Sequence, residues 1–193
     1  MAERTATYVA LFRGINVGKA KRIAMADLRA LFAEHGARHV ATVLNSGNVV
    51  FRAPPAVARA ARFEKAVAQE LGVSSRVTLV PAANLAATIA AHPLREVATD
   101  PARLLVGWLA DDAAATRAAV RALADGDWAP EAFVAGAGGS GPGVVWLWCP
   151  AGVLAGRLWN AVDRALGDRV TARNWATVQK LHAAAGACEG ADA

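Results

Sequence analysis

The chain has 193 residues, enough to bury a real core in one domain or two small ones. Hydrophobic residues make up 55% and charged residues 19%, which excludes a disordered chain. Two distant cysteines exclude a disulfide scaffold, and Lys+Arg 21 against Asp+Glu 16 gives a modest +5. These features lead us to expect a globular cytoplasmic protein. The first residues lack the basic-then-apolar pattern of a secretion signal. No charge falls between Glu131 and Arg157, but Gly136–Gly143 and Pro150 interrupt that stretch and forbid a continuous membrane helix. No membrane association is therefore expected.

In chain order, Thr7–Phe12 reads as a strand and Arg13–Lys19 as a loop. Met25, Leu28, Leu31 and Phe32 repeat at helical spacing up to Gly36. Val40–Leu44 and Val49–Phe51 read as strands around the turn Asn45-Ser46-Gly47-Asn48. Ala60, Phe63, Val67 and Leu71 form a second helical stripe, and Arg76–Val80 a fourth strand. A helix over Asn84–Ala91 and a polar stretch, His92–Pro101, follow.

The same order then recurs. Leu104–Leu109 is a strand, and Asp111 or Asp112 can cap a helix that runs through Leu123. Ala132–Val134 and Val144–Trp148 flank the Gly-rich loop as a hairpin. Leu154, Leu158, Val162 and Leu166 mark one helix face, Arg169–Ala172 a last strand, and a final helix runs from Asn174 to Gly186. Two βαββαβ units predict an α+β fold of two ferredoxin-like halves in tandem, each an antiparallel sheet with helices on one face. The expected boundaries are 1–91, a connection at 92–101, and 102–193. The competing arrangement is a single mixed sheet with helices on both sides.

Three segments carry more polar chemistry than a core requires. Arg13-Gly14-Ile15-Asn16-Val17-Gly18-Lys19, with Lys21 and Arg22, holds four cations and no acid. Its glycines let backbone N–H groups approach an anion, but the spacing is not that of a P-loop. Asn45–Asn48 is a good hairpin turn in its own right. If strands 1 and 2 run parallel, that turn and the Arg13–Lys19 loop emerge at one sheet edge. The third segment is Thr171–Leu181. There Asn174 is a natural N-cap, and Arg173, Thr177 and Lys180 lie near the helix start.

RGINVGK at 13–19, NSGNVVF at 45–51 and TARNWATVQKL at 171–181 together resemble the hallmarks of the bacterial domain-of-unknown-function family 1697. Lys19 stands where the family pattern has a second Gly, and Asn45 where it has Gln. The resemblance implies an α+β fold with ferredoxin-like halves. It implies no activity, and it carries over Arg13, Gly14, Asn16, Gly18, Ser46, Gly47, Asn48, Arg173, Asn174, Trp175, Thr177 and Lys180 only as hallmark positions.

No metal cluster, cofactor motif or catalytic pair stands out. His35 and His39 have ligand-like spacing, but Gly36 breaks the helix between them. Three functional readings stay open. The leading one is a binding protein or an unassigned enzyme that takes a small anionic ligand, phosphate-bearing ligands included, held by Arg13, Gly14, Asn16, Gly18, Lys19, Ser46, Asn48, Arg173, Asn174, Thr177 and Lys180. The second is a nucleic-acid-binding module that uses a basic edge and exposed tryptophans such as Trp146 and Trp148. The third is a structural protein whose motifs only hold its two halves together.

Overall fold

The computed structural model describes residues 5–17, 22–136 and 143–192. The chain forms two four-stranded antiparallel sheets, not one mixed sheet. In the first half β1 (Ala6–Phe12), α1 (Met25–Glu34), β2 (Arg38–Thr42), β3 (Asn48–Ala53), α2 (Ala60–Glu70) and β4 (Val77–Pro81) follow in order. The sheet order is β2-β3-β1-β4. Both β1 and β2 pair antiparallel with β3, so they run parallel to each other.

The helix α3 (Ala82–Ala91) leads to the second half. That half contains β5 (Leu104–Leu109), α4 (Ala114–Ala124), β6 (Ala132–Gly136), β7 (Val144–Trp148), α5 (Leu158–Leu166) and β8 (Val170–Asn174). Its order, β6-β7-β5-β8, repeats that of the first sheet. The last long helix, α6, spans Trp175–Glu189. By compactness the chain divides into a first unit of residues 1–82 with 180–193, and a second unit of 83–179.

In the first unit, alternate strand residues build the core with α1 and α2. Ala10 and Phe12 of β1 and Val49, Phe51 and Ala53 of β3 meet Leu28, Leu31 and Phe32 of α1 and Phe63, Ala66 and Val67 of α2. Phe32 stacks on Phe63 at 4.0 Å between centroids and meets Phe51 edge-on at 5.1 Å. Such ring pairs add to the area term of the core. The second unit packs Leu105, Val145, Leu147 and Cys149 against Leu123 of α4 and Leu158, Val162 and Leu166 of α5.

The alternate residues of these strands are buried as well: Val9, Leu11 and Val50 in one sheet, Val106, Trp108 and Trp146 in the other. That is why β5 and β7 read as unbroken apolar runs instead of alternating ones. Among the described residues no helix is long and apolar enough to cross a membrane.

Several bounds shift by one or two residues, and four differences have a visible physical cause. Leu154 does not join the helical stripe. The helix starts only at Leu158, after Gly152 at φ 102°, and Leu154 is 88% exposed. The last helix passes Gly186, where open space surrounds the glycine and the Ala-rich sequence sustains the helix, and it continues to Glu189. Strand β2 lies two residues earlier than expected, because His39 takes φ 50° at a register shift between Arg38 and Ala41. Neither Asp111 nor Asp112 is the N-cap of α4. Ala113 is, and the Asp111 carboxylate accepts bonds from Ala113 N at 2.9 Å and from the Thr116 hydroxyl at 2.6 Å.

Candidate functional site

The loop after β1 and the β2–β3 hairpin meet at one end of the strands of the first sheet. Phe12 N donates to Gly47 O at 2.8 Å. The Asn16 amide donates to Asn45 O at 2.7 Å and to Ile23 O at 3.0 Å, while its own oxygen accepts from Ile23 N at 2.8 Å. Asn16 therefore ties three segments together. It does so at φ 56°, a left-handed conformation that Asn tolerates better than most residues.

Gly47 explains itself by contact. At φ 76°, a Cβ there would lie 2.6 Å from Ile15 Cδ1 and 2.7 Å from Phe12 Cβ. Gly14, at φ 66°, has open space around it, so only its backbone angle asks for glycine. Asn48 is fully buried at the start of β3, and its amide donates to Val43 O at 2.8 Å and to Ser46 Oγ at 3.0 Å. Arg13 is half-buried; its N–H donates to Arg76 O at 2.9 Å, and its carbonyl accepts from Ser75 Oγ at 2.9 Å. Gly18 and Lys19 lie outside the described residues.

Beside this knot opens a cleft of about 540 Å³, lined by Asn16, Arg22, Ile23, Ala24, Met25 and Asn45. Ala24 is the N-cap of α1 and has no side-chain oxygen to cap the first N–H groups. Asp27 lies in that first turn. Arg22 and Asn45 are exposed. The sequence signal for Arg22 was its place in the cationic run. Asn45 looked like turn chemistry alone, and Ile23 and Met25 carried no signal for a cleft wall.

The third segment is a capped helix start. Asn174 Oδ1 accepts from Thr177 N at 3.0 Å and from Thr177 Oγ1 at 2.6 Å. Arg173 Nη1 donates to Ala172 O at 2.8 Å. Lys180 is exposed and belongs to the first unit, while the other three belong to the second.

The tryptophans offer no open stacking platform. Trp108, Trp146 and Trp148 are buried, and Trp128, Trp159 and Trp175 are half-buried. Trp146 stacks on His92 at 5.1 Å and 5°. The His92 Nδ1 is buried with no hydrogen-bond partner among the described residues, and burial, then the charge of Arg95, lowers the imidazole below its ordinary value.

At the start of α5, Glu131 Oε2 accepts from the N–H groups of Arg157 and Leu158, each at 3.1 Å. Burial first, and then the Glu131 charge, push the neighbouring Cys149 thiol up to about 12. A thiol so placed is no nucleophile. Among the described residues no three His, Cys, Asp or Glu side chains gather to hold a metal.

The family profile described as "Protein of unknown function (DUF1697)" matches residues 5–138, about two thirds of the chain and both loop segments of this knot. The chain belongs to this family. No curated protein matches it. It is similar in fold to the solved structure of the conserved bacterial protein SP0830 from Streptococcus pneumoniae. The TM-score is 0.70 at 19% identity, covering 94% of this chain and 99% of that one. A likeness at that identity speaks for the fold alone.

Proposed function

We propose that the cleft at the loop edge of the first sheet binds a small anionic ligand, with phosphate-bearing molecules the leading class. The supporting observation is the cleft itself, about 540 Å³ at the strand ends of the sheet, with Arg22 and Asn45 exposed on its wall. The start of α1 adds a partial positive charge at Ala24 and Met25. Asp27 already complements that charge, so Arg22 is the group that selects for an anion. In this reading Asn16 shapes the cleft and Arg22 and Asn45 are its polar contacts, while Arg13, Gly14, Ser46 and Asn48 belong to the same loop and turn without lining it. Arg173, Asn174 and Thr177, within the second unit at the start of α6, are a second candidate anion position.

One observation favours a purely structural role for the hallmark positions: Asn16, Asn48 and Asn174 all have their side chains engaged within the fold. The two readings part on ligand response. A ligand at a hundred times its Kd stabilises a fold by about 2.7 kcal/mol. Thermal melts of wild type and Arg22→Ala in phosphate, sulfate and nucleotides test the point. A dose-dependent rise in wild type that Arg22→Ala loses supports the cleft. If no anion raises the melting temperature, or Arg22→Ala responds as wild type does, the motifs are structural.

A further inference from the structure

The second unit has its own hollow at the same topological place, where the end of its first strand, its first helix and its central hairpin meet. Its volume is about 230 Å³. That equals the liquid volume of roughly eight waters. Its chemistry differs from that of the first cleft. Leu109, Val120 and Val144 give an apolar floor, and among the described residues Ala124, Ala135 and Gly136 add little side-chain bulk. At Gly143 the wall is backbone packed close, since a Cβ there would lie 3.3 Å from Leu109 Cδ1 and 3.4 Å from the Gly136 carbonyl oxygen.

Three charged side chains stand on this lining: Asp112, Arg117 and Arg121. Arg117 and Asp112 neutralise one another. The Arg117 guanidinium bonds the Asp112 backbone carbonyl and lies 3.2 Å from its carboxylate. Arg121 follows four residues later, one helical turn on. Its guanidinium makes no hydrogen bond or ion pair among the described residues, while its carbonyl accepts from Asp125 N at 3.0 Å. The hollow thus combines an apolar floor with one unbalanced positive charge.

We propose that this hollow is a binding site for a small amphipathic anion, a carboxylate on a short acyl or aryl body, with the carboxylate on Arg121. The apolar body supplies area burial, and the charge fixes orientation. A neutral molecule of the same shape gains only the first. A doubly charged phosphate ester without an apolar part gains only the second. Ligands of the first-unit cleft are therefore not expected here, and this proposal stands independently of that one.

Octanoate and octanamide are the probes, followed by titration calorimetry and by amide chemical shifts of the full-length chain. Wild type is expected to bind octanoate saturably and about tenfold more tightly than octanamide, the scale of one charge-assisted hydrogen bond. The shifted amides should fall on α4 and on the strands β6 and β7. Arg121→Gln should bring octanoate down to the octanamide level and leave octanamide unchanged. Ala124→Leu, which fills the hollow, should abolish both. Absence of saturable octanoate binding by wild type overturns the proposal, as does equal affinity for the two probes. Shifts confined to the first unit also overturn it, and that result needs no variant to fold.

Discussion

Asn16 and Asn45 are joined at 2.7 Å, side-chain amide to main-chain carbonyl, across 29 residues of sequence. The bond closes the loop after β1 onto the β2–β3 hairpin, and two more bonds from the same side chain hold Ile23 at the entry to α1. Position 16 thus positions all three sides of the cleft while facing inward itself. Three bonds at about 0.5–1.5 kcal/mol each, with about 1 kcal/mol more for the left-handed angle in Ala, predict a loss of about 2.5–5.5 kcal/mol for Asn16→Ala. Asn16→Gly keeps the backbone angle without strain and should lose less. Urea unfolding of both variants checks this; equal stability of Asn16→Ala and wild type would refute it.

Two glycines of the same knot separate conformation from space. Gly14→Ala meets open surroundings at φ 66° and should lose about 1 kcal/mol from the left-handed angle alone. Gly47→Ala meets Ile15 and Phe12 at 2.6–2.7 Å besides its own φ of 76°. It should lose more than about 3 kcal/mol, or fail to fold. Similar losses at both positions, measured by denaturation, would show that the contact at Gly47 relaxes freely.

Much of this architecture is legible in the sequence. The strands β5 and β7 are apolar, β-branched and aromatic runs with sharp ends, and their bounds match the sequence reading residue for residue. Helices α1 and α2 start where their stripes start. Where the reading slipped, a backbone event intervened that side-chain pattern does not encode. His39 at φ 50° and Leu44 at φ 59° shift β2, and Gly152 at φ 102° strands Leu154 outside α5. The meeting of the Arg13 loop with the Asn45 turn followed from parallel β1 and β2. The direction of each side chain did not. Asn48 reads as a polar turn residue, yet it begins a strand with its amide turned inward onto Val43. Clefts are gaps between elements, and no local pattern in the chain describes a gap.

Cys149 is fully buried, with its thiol raised to about 12. The folded protein therefore binds this proton more tightly than the unfolded chain does, where the thiol has its ordinary value of 9.0. Its contribution to stability is complete below pH 9 and is lost as pH rises from there toward 12. Native Cys149 should resist a thiol reagent at pH 8 and react in denaturant. Glu131→Gln removes the neighbouring charge and should bring the thiol down, although burial still dominates. Fast labelling of native Cys149, identified by peptide mapping, would contradict this.

His92 works in the opposite direction. Burial and Arg95 hold its imidazole below the ordinary 6.5, so the unfolded chain binds a proton more readily than the folded one. Stability from this site is present above pH 6.5 and is lost as pH falls through 6.5 toward the lowered folded value. Protonation would also leave a charged N–H at the buried Nδ1 without an acceptor among the described residues. The melting temperature should therefore fall between pH 7 and pH 5. Carboxylates contribute little to that window unless their own values are raised, so a single substitution can isolate the histidine. His92→Phe keeps an aromatic ring against Trp146 and has nothing to titrate. Its melting temperature should change less than that of wild type over the same range, and a Trp fluorescence change that accompanies the wild-type transition should vanish with it. Parallel slopes for the two proteins would assign the acid sensitivity to some other group.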